Sequence, residues 1–122
     1  MLRQKQGAII NIASLASFVA FRDVAAYGAS KASVGALTKS LSVEWVRVNA
    51  IAPGVFQTAL NGDLIQGTQR GEEQLQRTPM GRFGNLNEIA GGAIYLASDA
   101  ASFVNGEILV IDGGYLASGV NC

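Results

Sequence analysis

The stretch that decides the fold runs from residue 7 to residue 31. It opens with Gly7-Ala8-Ile9-Ile10-Asn11-Ile12-Ala13-Ser14, passes through a loop of small residues, and reaches Tyr27-Gly28-Ala29-Ser30-Lys31. Residues 8–13 read as a strand apolar enough to be covered on both faces, as strands of a parallel sheet are. A helix is expected from about Ala26 to about Val43, with Val34, Leu37 and Leu41 at i, i+3 and i+7 as its apolar stripe. Tyr27 and Lys31 stand at i and i+4, so their side chains share one helix face. Ser14, thirteen positions before Tyr27, adds a hydroxyl at the end of the strand. A lone phenol holds its proton too tightly for exchange near neutrality, and an ammonium beside it favours the phenolate. A hydroxyl, a phenol and an ammonium around one oxygen suit proton transfer coupled to carbonyl–alcohol interconversion. The chain has no histidine and its one cysteine is residue 122, so this constellation has no rival for acid–base or nucleophilic work, and no metal is expected. A tyrosine four residues before a lysine is nevertheless common on amphipathic helices. The pair gains its meaning from the strands around it.

Downstream, residues 47–52 read as a second strand closing on Pro53-Gly54. A polar, glutamine-rich segment from Phe56 to about Arg77 reads as a mobile loop with a short helix, of the kind that covers a site. Asn85-Leu86-Asn87-Glu88 has the spacing of a capping box and starts a helix that ends near Ser98-Asp99. Residues 107–111 form a third strand, terminated by Asp112-Gly113-Gly114. Strand–helix–strand–helix–strand predicts an α/β fold with a parallel sheet and right-handed crossovers. Ligands of such sheets bind beyond the carboxyl ends of the strands. Ser14, Pro53-Gly54 and Asp112-Gly113-Gly114 all fall at those ends.

Composition narrows the possibilities further. The 122 residues have room for one small domain; 49% are hydrophobic and 15% charged, which suits a packed core rather than disorder. Nine basic residues balance nine acidic ones, leaving no footprint for nucleic acid or an anionic membrane. No apolar run approaches the roughly 18 residues of a membrane span, and residues 1–6 lack the apolar stretch of a secretory signal. A lone cysteine forms no internal disulfide. A cytoplasmic protein without nucleic-acid or membrane partners is expected.

Taken in order, Ser14, Tyr27-x-x-x-Lys31, Val48-Asn49-x-x-x-Pro53-Gly54 and Asp112-Gly113-Gly114 resemble the motifs of the classical short-chain dehydrogenase/reductase family, from Gly7 through Gly114. The resemblance implies the carboxyl-terminal part of a Rossmann-like, doubly wound parallel sheet: three strands with crossover helices in one partial domain over residues 1–122, the amino-terminal half of the fold being absent. It makes Ser14, Tyr27 and Lys31 the catalytic serine, tyrosine and lysine. Tyr27, Lys31, Pro53, Gly54, Val55 and Thr58 become neighbours of an NAD or NADP cofactor. The implied activity is hydride transfer between that cofactor and a small carbonyl or alcohol substrate, in a homo-oligomer. Sugar acids, polyols and 3-oxoacyl thioesters remain open as substrates. A non-catalytic remnant acting through its oligomerisation surfaces, and a half-domain needing a separate amino-terminal half, are the alternatives. Ser14 is favoured over Ser17 as the catalytic hydroxyl by its distance from Tyr27. Asn49, Arg82 and Asp112-Gly113-Gly114 are expected to be structural. Phe18, Phe21 and Phe56 are candidates for a pocket wall, with ordinary packing favoured for each.

Two departures from the family pattern stand out. No G-x-G-x-x-G occurs, so the turn that cradles a pyrophosphate is not among these residues. Between Glu44 and Val48-Asn49 about one helical turn is missing relative to the family. The helix is therefore expected to unwind early, near Ser42, or the strand to start late.

Overall fold

A computed structural model describes residues 1–119, and Cys122 lies outside them. Three parallel strands, β1 (Ala8–Ile12), β2 (Arg47–Pro53) and β3 (Ile108–Ile111), form one sheet in the order β1-β2-β3. Each expected strand is present, with ends shifted by one residue: β1 stops at Ile12, β2 runs on to Pro53 and β3 starts at Ile108. β2 is the central strand, pairing Ala8 to Ile12 with residues 47–51 on one side and Ile108 to Ile111 with residues 50–53 on the other. The Rossmann-like α/β architecture expected from the sequence is borne out.

The two crossover helices, α1 (Ala25–Ser42) and α4 (Leu86–Ala97), cover opposite faces. Side chains alternate across a strand, and the residues sort accordingly. Ala50 and Ala52, with Ala13, Ile108 and Val110, meet Val34 of α1. Ile51, with Ile10, Leu109 and Ile111, meets Ile89, Ala93 and Leu96 of α4. The α1 face is built of small residues, so the helix lies close. A methyl group at buried Gly35 would stand 3.2 Å from Ile108 Cδ1.

The expected stripe on α1 is split. Val34 packs on the sheet, but Leu37 is 51% exposed and the buried position is Thr38. Three residues advance a helix by less than a full turn, which rotates Leu37 off the sheet-facing line. Thr38 is tolerated inside because its hydroxyl donates to Val34 O (2.8 Å) and accepts from Asn11 Nδ2 (3.0 Å). Ala29 and Ser30, between Tyr27 and Lys31, are exposed, and the Ser30 hydroxyl bonds back to Tyr27 O.

The shortened connection resolves in favour of an early helix end. α1 stops at Ser42 and residues 43–46 alone link it to β2. Asn105 braces this tight junction: its Nδ2 donates to Ser42 O (2.7 Å) and its Oδ1 accepts from Val48 N (2.9 Å). Arg47 completes it, its guanidinium donating to the carbonyls of Leu96 (2.7 Å), Ala101 (3.0 Å) and Ser98 (3.3 Å) at the end of α4. A cation there also meets the negative end of the helix dipole. Asn49 is structural as expected. Fully buried, it donates to Val104 O (3.0 Å) and accepts from Glu107 N (2.9 Å), pinning the turn that enters β3.

The segment expected to be a mobile loop with a short helix contains two, α2 (Gly62–Ile65) and α3 (Gln69–Gln76). Thr68 caps α3, its hydroxyl accepting from Gly71 N (3.1 Å). The expected start at Asn85 is held by Glu88, whose carboxylate accepts from Asn85 N (2.7 Å) while its own N–H donates to Asn85 O (2.8 Å), and Glu88 also receives Arg82 in a two-point contact. No helix among the described residues is long and apolar enough to cross a membrane.

Two measurements check this account. Asn49→Ala leaves a buried carbonyl and a buried N–H unpaired, and is expected to destabilise the fold by roughly 2–3 kcal/mol; a urea midpoint unchanged from the parent would refute the bracing role. The Glu88 carboxyl is held down at about 2 against an ordinary 4.5, first by the hydrogen bond from Arg82 and then by the Asn85 N–H. A depressed acid stabilises above its ordinary value, so its contribution is complete above about pH 4.5 and disappears as pH falls through about 2. In a carboxyl-carbon NMR titration the Glu88 midpoint should rise in Arg82→Ala, yet stay below 4.5 because Asn85 still donates; an unmoved midpoint would contradict it.

Candidate active site

Beyond the carboxyl ends of β1 and β2 lies a cleft of about 450 Å³. Ser14, Tyr27, Pro53, Gly54, Val55 and Thr58 all line it. Residues far apart in the chain thus meet at the edge where parallel sheets bind ligands. Lys31 does not line the cleft itself.

Ser14 ends the extended run of β1 and caps the one-turn helix Leu15–Ser17, its Oγ accepting from Ala16 N (3.1 Å). Ser17 is committed elsewhere. Its hydroxyl donates to Lys31 O (2.6 Å) and accepts from Ser14 N (3.2 Å), tying the end of β1 to α1. The structure therefore places Ser14 on the cleft and spends Ser17 on holding it there.

Tyr27 stands in the first turn of α1, 49% exposed. One turn on, Lys31 sends its ammonium past the ring, 5.9 Å from the centroid, to donate to Ile12 O (2.9 Å) at the end of β1. That bond fixes a long, flexible side chain beside Tyr27. It uses one of three donors and leaves two.

Pro53 is the last residue of β2, and Gly54 N donates to Ile111 O (2.8 Å), extending the pairing with β3. A side chain on Gly54 would collide with the Asp112 backbone, so only glycine lets the chain leave β2 here. Asp112 is occupied locally, its carboxylate accepting from Gly114 N and Leu116 N (both 2.8 Å). The next turn is shaped by Asn61, whose Oδ1 accepts from Thr58 N (2.7 Å) and whose Nδ2 donates to Phe56 O (2.9 Å). Phe21 and Phe56 do form part of the wall, whereas Phe18 is exposed away from it.

Several lining residues carry no motif and were not legible in the sequence. Leu64 and Ile65 on α2, and Arg70 and Gln74 on α3, close one side of the cleft. The available signal was Thr68 as an N-cap with Arg70 and Gln74 at i, i+4 behind it. Arg82, paired with Glu88, is a structural anchor as expected.

Comparison with known proteins agrees with this geometry. A family model described as enoyl-(acyl carrier protein) reductase matches residues 1–116. The chain is 48% identical over 121 residues to a 2-dehydro-3-deoxy-D-gluconate 5-dehydrogenase of Bacillus subtilis (strain 168), covering 96% of this chain and 48% of that protein. It is 47% identical over 119 residues to a D-threitol dehydrogenase of Mycolicibacterium smegmatis, covering 94% and 45%. A crystal structure of a gluconate 5-dehydrogenase from Burkholderia cenocepacia J2315, in complex with NADP and tartrate, superposes with a TM-score of 0.91 at 40% identity, covering 96% of this chain and 48% of that one. The chain spans about half the length of these relatives. Matched by the family model over nearly its whole length and by a solved relative in its fold, the chain belongs to the short-chain dehydrogenase/reductase family.

Proposed function

We propose that this chain carries the proton-transfer machinery of an NAD- or NADP-dependent oxidoreductase that interconverts a secondary alcohol and a carbonyl on a sugar or polyol. The observation that carries the reading is the convergence of Ser14 and Tyr27 on one cleft, with the Lys31 ammonium fixed behind the ring. Relatives named for sugar acids and for threitol favour that substrate class over 3-oxoacyl thioesters.

A dinucleotide fits the donors present. No carboxylate lines the cleft among the described residues, so its phosphates meet no like charge. Lys31 retains two donors for a ribose, and the Thr58 hydroxyl has no partner among the described residues. Pro53, Gly54 and Val55 would hold the nicotinamide end, with Thr58 toward the pyrophosphate, while Tyr27 and Lys31 would contact the nicotinamide ribose. When bound, the cofactor accepts or supplies the hydride.

The chain's own residues handle the oxygen. Ser14 donates a hydrogen bond to the substrate oxygen and holds it against the Tyr27 hydroxyl. In oxidation the alcohol proton passes to Tyr27; in reduction Tyr27 returns it to the forming alkoxide. Lys31 stabilises the negative charge that Tyr27 carries in between, and its bond to Ile12 O keeps that charge in register with β1. The apolar wall of Leu15, Phe21 and Phe56 keeps water from competing for the proton.

The protein is also proposed to work as a homo-oligomer, a dimer or tetramer. Leu37 on α1 and Ile94 and Tyr95 on α4 expose large apolar surface on the outer faces of the two crossover helices.

In the full-length protein, Tyr27→Phe should abolish turnover with cofactor affinity nearly unchanged, because it removes a proton donor and little else. Lys31→Ala should damage both. If folded Tyr27→Phe kept more than about a tenth of the parent rate, a loss under 1.4 kcal/mol in the barrier, the proton-transfer role would be lost. Light scattering coupled to size exclusion should give dimers or tetramers of the full-length protein. Residues 1–122 alone should aggregate, because β1 pairs only with β2 and its other edge is open; a monodisperse species at the 12.7 kDa monomer mass would count against both.

A further inference from the structure

Among the described residues, one charged side chain lines the cleft, and it belongs to none of the family motifs: Arg70. It lies in the first turn of α3, four residues before Gln74, so the two share a helix face and both reach the cleft. Their neighbours on α3 are occupied. Glu73 accepts from Gln69 Nε2 (3.1 Å), and the Arg77 guanidinium lies over the Tyr115 ring at 5.2 Å. The Arg70 guanidinium has no hydrogen bond or ion pair among the described residues, although Glu73 and Asp23 border the groove next to it. Gln74 is left in the complementary condition. Its Oε1 is buried without a hydrogen-bond partner, the one such side-chain atom among the described residues.

An unspent cation and an unspent buried acceptor thus sit one helical turn apart in the wall that also holds Ser14 and Tyr27. Arg70 offers a planar fork that fits a carboxylate. Gln74 Oε1 needs a donor, which a hydroxyl supplies. Of the apolar side chains beside them Ile65 is buried, while Leu64 and Leu86 are exposed, so Arg70 stands at the mouth of the cleft, where a ligand's carboxylate can reach it. One ligand class answers both needs: a carboxylic acid with a hydroxyl close to its carboxylate.

Resting on the oxidoreductase reading above, we infer that Arg70 and Gln74 form the subsite for a substrate's carboxylate and adjacent hydroxyl, which makes sugar acids, rather than neutral polyols, the substrates of this cleft. Arg70 sets the preference by charge. Gln74 sets which hydroxyl of the acid lies against α3, and hence which carbon faces Tyr27.

The test compares D-gluconate with its neutral counterpart D-glucitol in calorimetric titrations of the full-length protein, with NAD and NADP titrated separately. The parent should bind gluconate about 10- to 100-fold more tightly than glucitol, as one charge-assisted contact allows. In Arg70→Gln that preference should collapse to within about threefold, while Arg70→Lys keeps part of it; unchanged circular dichroism shows each variant folded. A parent without the preference overturns the proposal, as does an Arg70→Gln protein that retains it. A variant that loses dinucleotide affinity and keeps the gluconate preference reassigns Arg70 to the cofactor's phosphates and equally overturns it. Gluconate selectivity lost in Arg70→Gln, in a parent that shows no turnover, would uphold the subsite and refute the oxidoreductase reading instead.

Discussion

Hydrogen bonding of β2 to a parallel neighbour on each side is the constraint on which the rest of the structure depends. Val48, Ala50, Ile51 and Ala52 are completely buried, so the strand has no solvated face and must be covered by a helix on each side. Its amino end is held by polar side chains that satisfy otherwise stranded backbone groups: Arg47 on the last carbonyls of α4, Asn49 on the turn into β3, and Asn105 between Ser42 and Val48. Its carboxyl end must emerge beside Asp112, which only Gly54 permits. With both ends fixed, the cleft edge is fixed as well.

The candidate site inherits its precision from that edge. Ser14 cannot drift, because Ser17 joins its backbone N–H to the Lys31 carbonyl. Lys31 cannot drift, because its ammonium is bonded to Ile12 O. The end of β1 and the start of α1 are therefore laced together by the side chains of Ser17 and Lys31. The opposite arrangement holds on α3, where Arg70 and Gln74 have groups left without partners among the described residues. A rigid candidate centre beside a wall with unsatisfied polar groups is the distribution expected where chemistry is shared within a family and substrate choice is local to each member.

The end of α1 at Ser42 shows how side chains hold a tight passage from helix to strand. The junction is confined to residues 43–46, where Asn105 ties Ser42 O to Val48 N.

The sequence by itself determined the parallel α/β order, the three strands to within one residue, the capping box at Asn85 and the Ser14, Tyr27, Lys31 constellation. Each rests on a local pattern: a short apolar run, i to i+3 capping, i to i+4 spacing, or a turn at a strand end. Tertiary structure alone decided that Leu37 faces outward while Thr38 is buried, because helix rotation is set by what lies beneath. Only the folded chain gave Arg47 its reach to the end of α4 and the turn after it, since its partners at residues 96, 98 and 101 lie some 50 positions away. The same holds for Arg70 and Gln74. A polar residue on a glutamine-rich segment reads as solvated surface until α3 is seen to lean over the cleft, and that placement comes from contacts no local pattern encodes.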